Sequence, residues 1–401
     1  MTAPARGSDR YAILVLILTA QTFANVGPLG IPAIAGLIRE DLGLTLTQAG
    51  SFLSAYYIGP ILMSLPAGTM ADRWGVKPTL VAGQAVIALG LCAASAAGSY
   101  PLLIVLLSAA GVGYGMLNPT STKAVMAWSP PARRATLVGL KQVGLPFGGA
   151  LGAALLPVMA VAAGWRLAVA ASAGLIAVSA VATALVYRDP RDLPAGPAAA
   201  RKGALLAVLR TRAVWLVAGA TLLFAGMQTV FMAFFALDLQ ERVGLSLLAA
   251  GRYLALAQAS GMAGRVAFGV LSDRVFDGAR RPPLLIAGGI SALCACGMAF
   301  LGPGVPAAWL AALAVAFGFA GIGWNGVQHT LMAELAGPGS AATAVGLGLA
   351  VSSFGVTAGP PIFGWCVELA GSYRGPWIGS AVLMLAGLSL LGLVRERPRL
   401  G

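Results

Sequence analysis

Apolar stretches of bilayer length follow one another along almost the whole chain, separated by short polar turns. A bilayer core about 30 Å thick needs roughly 20 apolar residues per helix. Twelve stretches meet that length, near residues 11–37, 48–71, 78–98, 101–128, 135–162, 166–187, 212–237, 247–272, 282–301, 306–333, 340–369 and 375–394. They are too long for barrel strands and lack the alternation of such strands. Composition agrees: 58% of residues are hydrophobic and 10% charged, against about 25% charged in soluble domains. The expected class is an all-α integral membrane protein with twelve transmembrane helices.

A net charge of +13 invites a nucleic-acid reading, but the positions of the charges oppose it. With the N-terminus inside, the inner turns collect Arg6, Arg10, Arg73, Lys77, Arg133, Arg134, Arg188, Arg191 and a further set ending at Arg399. The outer turns hold only Arg39, Arg166, Arg242 and Arg374. This is the positive-inside bias, so both termini are expected in the cytoplasm, the membrane is the inner (plasma) membrane, and no nucleic-acid partner is implied. Cys92, Cys294, Cys296 and Cys366 lie inside apolar spans without metal-type spacing, which suggests small core fillers. The first span is too long for a secretory signal and lacks a cleavage pattern.

The polar run Gly68-Thr-Met-Ala-Asp72-Arg73-Trp-Gly75-Val-Lys77 returns in skeleton as Gly269-Val-Leu-Ser-Asp273-Arg274, 201 residues later in a chain of 401. A second match has an offset of 207: Asn118 falls on Asn325, and Ala135-Thr136-Leu-Val138-Gly139-Leu140 on Ala342-Thr343-Ala-Val345-Gly346-Leu347. Two matches at nearly constant offset indicate internal duplication. Arg188 to Arg212, with Pro190, Pro194, Gly196 and Pro197, is the one long polar stretch and reads as a flexible linker. The expected organisation is two pseudo-symmetric six-helix bundles, residues 1–187 and 212–401, joined by a cytoplasmic linker at 188–211. Parallel repeats of this kind place a substrate between them.

On these motifs the chain resembles the major facilitator superfamily over essentially its whole length. The loop after the second span matches that family's signature, and the partial copy after the eighth span matches its weaker echo, with the second glycine displaced to Gly278. The resemblance implies that Gly68, Asp72, Arg73, Gly75 and Lys77, with Gly269, Asp273 and Arg274, serve gating. Asp72 would cap a neighbouring helix N-terminus or pair with an arginine, since a carboxylate gains roughly 0.3–1 kcal/mol at such a terminus.

Charged side chains inside spans are costly and mark function by default. Lys123, Lys141 and Arg265 are the clearest cases, and no carboxylate occupies the middle of any span. A cation at low dielectric needs a partner, and an anionic cargo could supply it. The run Gly264-Arg265-Val-Ala-Phe-Gly269 resembles the eighth helix of monocarboxylate, oxalate/formate and nitrate carriers. That resemblance implies anion binding by Arg265, whose planar guanidinium suits an oxyanion. The alternative is a structural arginine snorkelling to the interface. Asn118, Ser121 and Thr122 share one helix face, and Asn325, Gln328 and His329 repeat it. Gln21 and Asn25 add a stripe on the first span, ahead of Pro28 and Pro32, which should bend it; Tyr56, Tyr57 and Gln228 add single groups. The substrate-binding set is therefore Arg265, Lys141, Asn118, Asn325, Gln328, His329, Gln21, Asn25 and Tyr57, with interhelical hydrogen bonding as the competing role. Gly144, Gly148 and Gly152 form a small-residue face that the resemblance places against the eighth span.

No phosphate-binding loop or catalytic constellation is visible, so the chain is read as no enzyme, with no cofactor and no metal. The function expected is secondary-active, alternating-access transport of a small monocarboxylate-like anion, by proton symport or anion exchange, with the chain taken as a monomer in the lipid bilayer. The alternatives are an efflux pump for drugs or amphipathic, lipid-like compounds and, remotely, a non-transporting membrane sensor.

Overall fold

A computed structural model describes residues 7–129, 134–189, 204–337 and 340–396. Among them no strand occurs, and helices fill almost everything. Leu89, Leu185, Leu293 and Phe354 are each at least 70% exposed; an outward-facing apolar surface of that kind suits lipid, not water.

Prolines and glycines place the breaks. Helix α1 (Gly7–Gly30) contains Pro28, and a 3-10 turn over Ile31–Ile34 holds Pro32 before α2 (Ala35–Leu42). Each proline removes a backbone donor from the ladder, and a 3-10 turn interrupts the first span where a bend was expected. Helix α3 (Leu46–Arg73) contains Pro60 and Pro66, and α4 (Val76–Ser95) and α5 (Tyr100–Trp128) follow. Helix α6 (Arg134–Val186) has 53 residues, about 80 Å at 1.5 Å per residue, far more than one crossing. Its ladder breaks at Ala163 and at Gly164, φ +82°, which divides it into the fifth and sixth spans.

Then come α7 (Ala204–Arg210), α8 (Arg212–Glu241) and α9 (Leu247–Val270), which ends in a π turn over Leu271–Val275. Helices α10 (Arg281–Ala299), α11 (Ala307–Gly323), α12 (Asn325–Ala336), α13 (Ala341–Ala370) and α14 (Arg374–Gly392) complete the chain. Ten stretches of the described residues are long and apolar enough to cross a membrane. One of them, Leu137–Val186, supplies two crossings, and the 28 residues of α3 are long enough for another. Two expectations need correction. The linker is not wholly irregular, because α7 lies within it, and the tenth span is interrupted at Trp324.

The chain separates into two compact units, Met1–Leu44 with Ala55–Ala198, and Thr45–Ser54 with Ala199–Gly401. In the first unit α1 packs along the first part of α6, and α4 against both α5 and the later part of α6. In the second, α8 packs on α13, α9 on α11, and α10 on α14. Glycines set the closest approaches. A Cβ at Gly148 would strike the Thr22 carbonyl oxygen, and one at Gly355 the Leu222 carbonyl oxygen. Likewise a Cβ at Gly111 would meet Tyr56 O, and one at Gly318 would meet Ala257 O. Gly111 and Gly318 are 207 residues apart and Tyr56 and Ala257 201 apart, so the two sequence offsets reappear as paired contacts. Gly144, Gly148 and Gly152 face Gln21, Thr22 and Val26 of α1, not the eighth span: the stripe shows that a face is small but not which helix it meets. Cys92 and Cys296 are exposed, so only Cys294 is a buried filler.

Candidate transport site and gating loops

The loop after α3 carries its charge differently from expectation. Asp72 forms an ion pair with Lys123 of α5, whose ammonium also donates to Ala71 O at 3.3 Å. Among the described residues its partner is a lysine, and no helix N-terminus receives it. The carboxylate at a neighbouring helix N-terminus is Asp189, which accepts the Lys77 N–H on both oxygens at 3.2 Å. Gly75 makes this possible. Its φ is +97°, and a Cβ there would lie 2.8 Å from Asp189 Oδ2. Gly68 has open space around its Cβ direction, and Arg73 is exposed.

The second copy repeats the arrangement. Asp273 pairs with Arg280, which also reaches Glu334 at 3.3 Å and Ser272 Oγ at 2.8 Å. Burial pulls the Arg280 pKa down, but its two carboxylates outweigh that and hold it above its ordinary value. The displaced Gly278 has φ +81°, so it supplies the left-handed turn that Gly75 supplies earlier. At the start of α10 the Arg280 and Arg281 N–H groups donate to Glu396 Oε1 at 2.9 and 2.6 Å. Glu396 stands 207 residues after Asp189. Gly269 lies in α9 with nothing near its Cβ direction, and Arg274 is exposed in the π turn.

Inside the first unit the polar groups concentrate on α1, α3, α5 and α6. Gln21 Nε2 donates to Tyr114 Oη at 3.1 Å, Asn25 Nδ2 to Gln21 O at 2.7 Å, and Tyr56 Oη to Ala24 O at 3.0 Å. Tyr57 is half-buried, its ring edge-on to that of Tyr56. Lys141 is 2% exposed. It donates to Asn118 O at 2.9 Å, Asn118 Oδ1 at 2.8 Å and Thr122 Oγ1 at 2.9 Å. Neither lysine therefore lacks partners within the chain: Lys123 has a carboxylate, and Lys141 has three oxygens of α5.

In the second unit Arg265 is half-buried on α9, within electrostatic reach of His329 on α12. Gln328 Nε2 donates to Thr221 Oγ1 at 2.8 Å, and Asn325 Nδ2 to Gln228 Oε1 at 3.2 Å. Three of the expected amides keep buried oxygens without a donor: Gln21 Oε1, Asn25 Oδ1 and Gln328 Oε1. Two features escaped the sequence. Gln258 of α9 is buried, and neither of its amide atoms has a partner. It lies 201 residues after Tyr57, so the repeat offset could have found it. Asp238 of α8 is fully buried; it pairs with Arg242 and accepts the Trp377 Nε1–H at 2.7 Å. Its i, i+4 spacing to Arg242 was the available signal. Among the described residues no cluster of His, Cys, Asp and Glu could hold a metal ion.

Residues 13–355 match the profile of the Major Facilitator Superfamily. The chain belongs to the Major Facilitator Superfamily. Over 405 aligned residues it is 28% identical to the probable sulfoacetate transporter SauU of Cupriavidus necator, covering 95% of this chain and 93% of that protein. To the hexuronate transporter of Bacillus subtilis it is 30% identical over 158 residues, 39% of this chain and 37% of that one. In fold it is similar to a bacterial homologue of the human lysosomal transporter Spinster, with a TM-score of 0.80 at 19% identity, covering 98% of this chain and 100% of that one. The nucleoside transporter NupG also gives 0.80, at 13% identity over 96% of this chain and 100% of its own. This superfamily member is a multi-pass membrane transporter, and its relatives are transporters, not enzymes.

Proposed function

We propose that the chain is a secondary-active transporter of a small organic anion in the inner membrane, with both termini cytoplasmic. It works by alternating access, residues 1–187 and 212–401 being the two moving halves and 188–211 their linker. Coupling is by proton symport or anion exchange. The observation that carries the reading is Arg265: a permanent cation, half-buried within a membrane-spanning helix, where charge is retained for function. Relatives named for sulfoacetate and hexuronate transport support it. Arg265 binds the anionic head, with His329, Gln328 and Asn325 beside it. Gln21, Asn25 and Tyr57 are the candidate hydrogen-bonding groups within the first unit, and Lys141 acts there by orienting Asn118. The gating residues Gly68, Asp72, Arg73, Gly75, Lys77, Gly269, Asp273 and Arg274 hold loops whose ion pairs form and break with the cycle.

Export of amphipathic compounds is the second reading. A cleft of about 860 Å³ between α8, α13 and α14 favours it, lined by apolar groups such as Leu222, Val230, Phe354 and Ile362. One experiment separates the two. The purified protein and its Arg265→Ala variant are heated with small carboxylates, sulfonates, lipophilic cations and neutral solutes. A ligand at 100 times its Kd stabilises by about 2.7 kcal/mol. The anion reading expects stabilisation by carboxylates or sulfonates that vanishes in the variant. Stabilisation by lipophilic compounds alone, unchanged in the variant, overturns it.

A further inference from the structure

Buried glutamines other than Gln258 place at least the amide nitrogen on a partner, Gln21 on Tyr114 Oη and Gln328 on Thr221 Oγ1. Gln84 of α4 is fully buried, and its Nε2 donates to Thr183 Oγ1 at 3.0 Å and to Leu80 O at 3.3 Å. Gln258 of α9 is equally buried, yet neither Nε2 nor Oε1 has a partner. A carboxamide kept dry and unbonded loses its hydration with no return, and such a group in a native protein needs an explanation. The packing of α9 on α11 does not provide one. The residues of α9 that meet α11 are Ala257, approached by Gly318, Gly261 against Ile322, and Gly264 against Phe319. Gln258 stands off that line. With about 100° per residue, it shares a stripe with Met262 and Arg265, four and seven positions on.

We infer that Gln258 is a specificity-determining residue of the Arg265 site, reading a hydroxyl group carried by the anion. The inference rests on the anion reading proposed above. An amide offers donor hydrogens on one atom and lone pairs on the other, and a hydroxyl both donates and accepts. A carboxylate has no donor and leaves Oε1 unpaired, while an alkyl tail leaves both atoms unpaired. Gln258 and Arg265 are about 10.5 Å apart along the helix axis. Both side chains lean toward the helix N-terminus, the guanidinium of the longer Arg265 by more than the amide of Gln258. The cargo class is thus a hydroxylated organic acid: its charged head lies at Arg265 and a hydroxyl a few atoms along the chain meets Gln258.

The test uses matched acids that differ only in hydroxylation: lactate with propionate, and D-gluconate with hexanoate. Their Kd values are taken from ligand-dependent melting of the wild-type protein and of the Gln258→Leu, Gln258→Met and Arg265→Ala variants. Wild type should prefer the hydroxylated member of at least one pair by about tenfold or more, as a site built for a hydroxyl does. Gln258→Leu and Gln258→Met should erase that preference and keep the affinity for the plain acid within about twofold. They should also melt, without ligand, no lower than wild type. An unchanged preference, equal loss of both acids, or failure of both variants to fold overturns the role of Gln258 and leaves the anion reading standing. If no acid stabilises the wild type, or Arg265→Ala binds all of them normally, the anion reading falls and this inference falls with it.

Discussion

Near the C-terminal end of α8, the Asp238 carboxylate has no exposure, and three elements converge on it. Arg242, just past the helix, grips it, Trp377 of α14 donates to it at 2.7 Å, and Arg242 extends to Met298 O at the end of α10 at 2.7 Å. Removing one member of a buried pair leaves a charge without its partner, at a cost of about 3–5 kcal/mol. Asp238→Ala should therefore lower the unfolding midpoint in detergent steeply, and Trp377→Phe by less, about 1–3 kcal/mol. An Asp238→Ala protein that melts with wild type would refute this lock. At this scale the sequence is partly legible. Arg265 and Lys141 announce themselves because charge is expensive inside a span. What each cation meets is not legible: Lys123 finds Asp72 across 51 residues of chain. Gln258 stayed silent because a neutral amide raises no alarm until its hydrogen bonds are counted.

Between elements, glycine carbonyl contacts set how closely helices approach. Gly148 lies against Thr22 O of α1, and Gly355 against Leu222 O of α8; backbones this near admit no side chain between them. Gly148→Val and Gly355→Val should each force α1 from α6, or α8 from α13, and yield protein that elutes as aggregate from size-exclusion columns. Gly174→Ala is the control, since a Cβ there meets nothing within 4 Å; it should elute normally and gain up to about 1 kcal/mol. Normal elution of both valine variants would show that these contacts do not set the spacing. Helix existence was readable from hydropathy, and so was a break near the prolines of the first span. The break at Trp324 was not, since tryptophan carries no punctuation of its own, and neither was the partner of the Gly144–Gly148–Gly152 face, because periodicity names a face without naming its neighbour.

For the molecule as a whole, the half-length repeat was the most legible property, and its contacts prove more faithful than its letters. Tyr56 and Ala257 share no chemistry, yet each offers its carbonyl oxygen to the glycine that the offset predicts. Asp189 and Glu396 differ too, and each returns to the N-terminus of the third helix of its own repeat, α4 or α10. The sequence hid these caps because they fall just beyond the apolar stretches, where a lone carboxylate resembles any solvated turn. They also define where one gene could become two. A first polypeptide of residues 1–195 keeps Asp189 and a second of 196–401 keeps Glu396, so each carries every residue that closes its own third helix. Co-expressed, the two should restore the melting temperature of the intact chain. A first piece ending at residue 186 loses the cap and should restore it poorly. Equal recovery from either cut would mean that Asp189 contributes nothing to closing the first half.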